Sequence, residues 1–180
     1  MAARAPSGGD DLYHAGCGIY LAWNGPGKIR YTQASLNGPR RGINRILEAL
    51  DRFQVKATFF APGIFAETYP EQLKEIAEAG HEIALHGYRH EDFGGLSKEQ
   101  QQSALNQGAK AIEQTIGRMP VGFRLPEGGC TEETLTLIQQ AGFLYDNSFF
   151  DHDIPYRIPG SGAYADMIEI PTRWELIDFP

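Results

Sequence analysis

Three features of this 180-residue chain predict an α/β fold built on a parallel sheet. Short apolar runs alternate with amphipathic segments, the pattern of strands joined by crossover helices. The breaks between them are marked by 21 glycines and 11 prolines, enough for the tight connections such a fold needs. Polar residues gather just after the apolar runs, at the carboxyl ends of strands, where barrels and open α/β sheets build their sites.

The elements follow in order. The first strand is "CGIYLAW", Cys17 to Trp23, stopped by Asn24-Gly25-Pro26-Gly27. Apolar residues at Ile43, Ile46, Leu47 and Leu50 follow the i, i+3, i+4, i+7 spacing of a helix. "KATFFAPG" (Lys56 to Gly63) is the second strand. A helix over "YPEQLKEIAEAG" starts with Pro70 in its first turn and stops at Gly80. "HEIALHG" is the third strand. Ser97 and Gln100 spell a capping box for a helix that ends at Gly117. "VGFRLPEGG" supplies the fourth strand and its loop. "TEETLTLIQQAG" is a helix with acidic residues in its first turn. "FLYDNSFF" is the fifth strand and "DMIEIPTRW" the sixth.

The length suits one domain over residues 1–180, with 1–16 expected as a flexible arm. A net charge of -7 and the lack of a Lys/Arg cluster speak against a nucleic-acid partner. No apolar run approaches a membrane span, and the first residues lack the apolar core of a secretory signal. With Cys17 and Cys130 the only cysteines, no disulfide framework is implied. The expectation is a reduced, cytoplasmic protein with no membrane partner.

The chemistry centres on "EIALHGYRHED", which places His86 and His90 where a strand gives way to a loop. A metal site would use both imidazoles, commonly with a carboxylate and an open position. The rival zincin pattern H-E-x-x-H fails, because His81 and His86 are five residues apart on a strand. The plain alternative makes His86 a satisfied residue at the core edge and His90 a surface residue.

The runs "KATFFAPG", "EIAEAGHEIALHGYRHED", "GRMPVGFRLPEGG", "IQQAGFLYDNSFF" and "IEIPTRW" occur in this order. Together they resemble the polysaccharide deacetylase family, the family 4 carbohydrate esterases. The likeness is to its intracellular branch of peptidoglycan-deacetylase-like, cyclic-imidase-like and allantoinase-like proteins. It covers about residues 17 to 180. The resemblance implies a distorted (β/α) barrel of about seven strands. It also implies hydrolysis of an amide with a divalent metal held by one Asp and two His. His86 and His90 match the metal histidines. Arg124 and Pro126 match the arginine and proline of the R-x-P block, where the arginine orients an acidic base. Asp153 matches an acidic position in a substrate-side loop, and Trp174 an aromatic position.

The departures are as informative. The family's first strand ends in a general base and a third metal ligand, and here those positions hold Ala22 and Asn24. Alanine takes no proton, while asparagine offers a neutral carbonyl oxygen. Asn24-Gly25 also reads simply as a turn. The histidine that would protonate the leaving amine has no counterpart up to "WELIDFP". The family's C-terminal strands are therefore expected to be missing, and the resulting open edge to drive homo-oligomer formation.

His152 or Asp153, in the polar run Asp151 to Asp153, stands in for the missing base by position, against the alternative of a solvated turn. Arg124 pairs either with a functional group or simply with Glu127 or Glu82. Cys130 sits before a helix start, a place that lowers a thiol pKa, but no base is assignable and it reads as structural. Phe149, Phe150 and Trp174 read as core or rim. The resulting expectation is a metal-dependent hydrolase of carbon–nitrogen bonds other than peptide bonds. Its ion, first zinc, would be held by His86, His90 and Asn24, and its catalytic residues would be Arg124, His152 and Asp153. The substrate would be an N-acetylated sugar or a small cyclic amide. Two alternatives stand beside it: a binding or regulatory protein that has lost catalysis, and a metal-independent allantoinase-like amidase.

Overall fold

The structure, a computed structural model, describes residues 11–15, 19–23, 41–126, 129–159 and 167–173. Strands β1 (Asp11–Ala15) and β2 (Ile19–Trp23) pair antiparallel, with Asp11 opposite Trp23. Of the stretch expected as an arm, Asp11–Ala15 is β1, and the rest lies outside the described residues.

The α/β class holds. A second sheet of six strands is ordered β3 (Thr58–Ala61), β4 (Glu82–Leu85), β5 (Gly122–Phe123), β6 (Tyr145–Asp146), β8 (Ile168–Glu169), β7 (Tyr156–Arg157). Neighbours are parallel from β3 through β8; the edge strand β7 runs antiparallel to β8. Helices α1 (Ile43–Arg52), α2 (Gly63–Thr68), α3 (Pro70–Glu78), α4 (Lys98–Ile116) and α5 (Glu132–Gln140) fill the connections.

The helix signals in the sequence act as read. Pro70 opens α3, where a missing N–H costs nothing. Ser97 caps α4 by accepting from the Gln100 backbone N–H, while the Gln100 side chain accepts from the Ser97 N–H. Gly117 closes α4 in the left-handed conformation at φ 73°. Thr131 and Thr134 make the same reciprocal cap for α5. The short helix α2 was not expected, since "APG" reads as a strand ending; Pro62 instead turns the chain into a helix start.

Phe59, Leu85, Phe93, Leu105, Ile112, Phe123 and Ile138 form the core between sheet and helices. Full burial of each such side chain stabilises by about 1.5–3 kcal/mol. Phe123 on β5 is its centre, with the rings of Phe93 and Phe143 both 5.6 Å away. One glycine sets how closely α4 approaches the end of β4. A Cβ on Gly108 would lie 2.6 Å from Leu85 Cδ1 and 2.9 Å from the Gly87 carbonyl. The helix therefore lies directly against the turn that follows β4.

Candidate metal centre at the ends of β4 and β5

Strand β4 is apolar and buried from Ile83 through Leu85, so the next residue, His86, enters the site from a rigid base. Its backbone N–H still donates to Ala61 of β3 at 3.0 Å. The turn then reverses direction through two left-handed residues, Gly87 at φ 69° and His90 at φ 65°. Glycine takes that conformation freely, and a non-glycine residue such as histidine takes it uncommonly.

The surroundings of the turn are explicit. The first turn of α2 donates to the loop's carbonyls, from Gly63 to Gly87 at 3.0 Å and from Ile64 to Tyr88 at 2.8 Å. The Glu91 carboxylate accepts from the N–H of Tyr88 and of Arg89, both at 2.9 Å. A Cβ on Gly87 would sit 2.7 Å from Glu91 Oε2 and 2.9 Å from Pro126 Cγ. The sequence therefore requires glycine there twice over, for its backbone angle and for its space.

The two imidazoles come together as the spacing predicts. Their ring centroids are 5.0 Å apart and the planes are close to perpendicular, at 80°. His86 is buried, at 3% exposure. Its Nδ1 lies 2.9 Å from the Arg124 carbonyl at the end of β5. A carbonyl only accepts, so Nδ1 carries the proton and Nε2 carries the basic lone pair. That is how outer partners commonly orient a metal-ligating histidine.

The pair fits a divalent ion on geometry. Two imidazoles bound at about 2.1 Å across a tetrahedral angle would put their ring centroids about 5.3 Å apart. The observed 5.0 Å agrees. Among the described residues, no cluster of three His, Cys, Asp or Glu forms around such an ion. Asn24, the expected third ligand, lies outside the described residues, as does Trp174. Ala22 falls in β2, opposite Leu12.

Arg124 serves the site twice. Its backbone carbonyl holds His86, and its half-buried side chain donates from Nη1 to Asn147 Oδ1 at 3.0 Å. Asn147 is in turn tied to β8 and the residues after it, donating from Nδ2 to the Ile170 carbonyl and to Thr172 Oγ1. The simple pairing of Arg124 with Glu82 is excluded, since Glu82 accepts from Thr58 Oγ1 at 2.7 Å at the opposite end of β4.

No local pattern in the sequence marks what lies beside Arg124. Asp146 and Glu169 are register partners on adjacent parallel strands, and both are fully buried. Asp146 accepts from Ser148 Oγ at 2.7 Å, and Glu169 accepts from the Phe149 N–H at 3.0 Å. Burial and then the neighbouring Asp146 charge push the Glu169 carboxyl up to about 9. Burial also raises Asp146, against the pull of its Ser148 hydrogen bonds. Both carboxyls are held above the usual carboxylate range, so the pair shares a proton at neutral pH beside Arg124.

The remaining candidates lie in an exposed turn. Asp153 meets Arg173 at 3.7 Å, with its own side chain 76% exposed. His152 accepts from the Ile154 N–H at 3.3 Å and lies near the Tyr156 ring. The Tyr156 hydroxyl donates to Asp151 at 2.7 Å. Phe149 packs against the core, while Phe150 is exposed. Cys130 departs from the low pKa that its place before a helix suggests. Burial first, then the Asp146 and Glu169 charges, push its thiol up to about 12. That leaves it unreactive at neutral pH, in keeping with a structural role.

Comparison with known proteins bears on the same residues. The family model described as polysaccharide deacetylase matches residues 37–145, which include both histidines and Arg124. A peptidoglycan deacetylase-like protein of Gibberella zeae is 40% identical over 138 residues, covering 76% of this chain and 41% of the relative. A Mycobacterium smegmatis crystal structure assigned to the polysaccharide deacetylases is 39% identical, with a TM-score of 0.76 over 82% of this chain and 51% of that one. A pseudoenzyme of the same carbohydrate esterase family from Bacillus anthracis is 28% identical, with a TM-score of 0.54 over 56% of this chain and 36% of its own. The chain thus spans about half the length, or less, of these relatives.

Proposed function

This chain belongs to the polysaccharide deacetylase family, and from that premise we propose that it is a metal-dependent hydrolase of non-peptide amide bonds. Its substrate class is an N-acetylated sugar or a small cyclic amide. The observation that carries the reading is the His86–His90 pair, 5.0 Å between ring centroids, with His86 Nδ1 fixed on the Arg124 carbonyl. His86 and His90 would hold the ion, zinc first, and Asn24 would add a neutral oxygen. When bound, the ion would supply Lewis acidity toward the amide carbonyl.

This chain's own residues then divide the work. His86 offers Nε2 because its Nδ1 proton is engaged. Arg124, anchored by Asn147, brings a positive charge to the end of β5. His152 and Asp153 belong to the exposed turn after β6, where a side chain can move to meet a substrate, and they are the proposed proton-handling groups. With Ala22 in the base position, turnover is slow: loss of a positioned general base costs on the order of 10²–10⁴-fold. The protein is proposed to be cytoplasmic and to associate with itself.

The test is hydrolysis of N-acetylglucosamine oligomers and cyclic imides by zinc-loaded protein. Activity that rises in Ala22→Asp/Asn24→Asp and vanishes in His86→Ala supports the proposal. Activity unchanged by His86→Ala supports a metal-independent amidase instead. A second reading, a binding protein without catalysis, is favoured by Ala22 and by the likeness to a pseudoenzyme. It predicts no hydrolysis in the natural chain, with zinc still bound.

A further inference from the structure

We propose that Glu91 is a positioning residue for the histidine pair: its carboxylate fastens the turn that holds His90 in the left-handed conformation facing His86. The proposal rests on the reading that this pair holds a divalent ion.

The turn between the two histidines spends its backbone groups in an ordered way. Its carbonyls at Gly87 and Tyr88 are taken by the first turn of α2. Its N–H groups at Tyr88 and Arg89 have side-chain rather than backbone acceptors. Glu91 supplies both, one oxygen to each, at 2.9 Å. Because Glu91 directly follows His90, two bonds to residues before the histidine close a ring of chain around it. With that ring closed, His90 sits at φ 65°, a left-handed conformation that strains a non-glycine residue. The same carboxylate fills the space that a Cβ on Gly87 would take. Glu91 touches neither imidazole in any of these contacts, so its effect on an ion acts through the backbone. Bonds to a charged acceptor are the stronger kind, which suits a group that must hold a strained residue.

The experiment uses the full chain, Glu91→Ala and Glu91→Gln, and three readouts. Amide hydrogen exchange, measured without metal, should accelerate at Tyr88 and Arg89 by about 10-fold or more in Glu91→Ala. Zinc affinity, measured by chelator competition, should fall about 10–100-fold, as for loss of an outer partner of a metal ligand. The visible absorption of cobalt-substituted protein should shift, reporting altered ligand geometry. Glu91→Gln keeps one acceptor oxygen and should fall between wild type and Glu91→Ala in all three. The thermal midpoint of the metal-free variants, compared with wild type, separates a local change from general unfolding.

Zinc affinity and cobalt spectrum both unchanged in a folded Glu91→Ala would overturn the proposal, even with faster amide exchange. Unchanged exchange at Tyr88 and Arg89 would overturn it at its first step. A wild-type chain that binds no zinc would overturn the metal reading and, with it, any role for Glu91 toward an ion. Amide exchange would still show whether the anchor itself exists.

Discussion

The turn after β4 and the turn after β6 carry similar numbers of polar residues and are built in opposite ways. From His86 to Arg89, three N–H groups and two carbonyls have named partners, in β3, in α2 and in Glu91. From Asn147 to Ile154 the burial stops partway. Asn147, Ser148 and Phe149 are tied to Arg124, Asp146 and Glu169, while Phe150 through Ile154 are exposed. The densest polar run in the sequence, Asp151-His152-Asp153, thus lies in the looser half. Polar density alone does not make a preorganised site. What fixes a side chain is whether the backbone beneath it has somewhere to put its hydrogen bonds.

Three substitutions probe this contrast. The largest effect is expected at the fastened half of the β6 turn, from Glu169→Gln. The raised Glu169 pKa means that the folded chain holds a proton which the unfolded chain releases above its ordinary value near 4.5. The stability linked to that proton is present at low pH and is lost as pH rises toward about 9. Glutamine still accepts from the Phe149 N–H and has no proton to lose. Urea denaturation at pH 6 and pH 8 should therefore show the variant gaining on wild type by up to about 1.4 kcal/mol per pH unit. A difference independent of pH would mean that Glu169 is not protonated.

Next is Gly87→Ala in the β4 turn. The new methyl meets Glu91 and Pro126 and must take a left-handed backbone angle. A loss of about 2–3 kcal/mol is expected in the same denaturation measurement. The smallest effect is expected at the exposed half. Asp153→Asn should change stability by less than about 0.5 kcal/mol, since an exposed ion pair contributes little. Its kcat should nonetheless fall, with zinc affinity unchanged, if the loop handles protons. A large stability loss at Asp153 would erase the contrast between the two turns.

Much of this was legible in the sequence, and the remainder was hidden for a reason. Helix signals act within a turn or two of chain, so Pro70, the Ser97–Gln100 box and Gly117 mark real ends. The histidine pair was legible because four residues of spacing and a strand end are local facts. Strand length was less so: "VGFRLPEGG" yields only Gly122–Phe123 as strand, because pairing depends on neighbours distant in sequence. The antiparallel edge strand β7 escaped for the same reason. The Asp146–Glu169 pair depends on the register of two strands 23 residues apart, which no local pattern specifies. Glu91 carries no sequence signal of its own. Its importance lies in which backbone N–H groups it accepts from, a property of the folded turn.

The central claim is that His86 and His90 form one divalent-ion site. Its most direct test is calorimetric titration of zinc into the metal-free chain, with His86→Ala and His90→Ala beside it. One ion per chain in wild type, and affinity lowered by more than about 100-fold in each variant, is the predicted result, exceeding the loss expected for an outer partner. Zinc binding that survives both substitutions, or is absent from a folded wild-type chain, would contradict it.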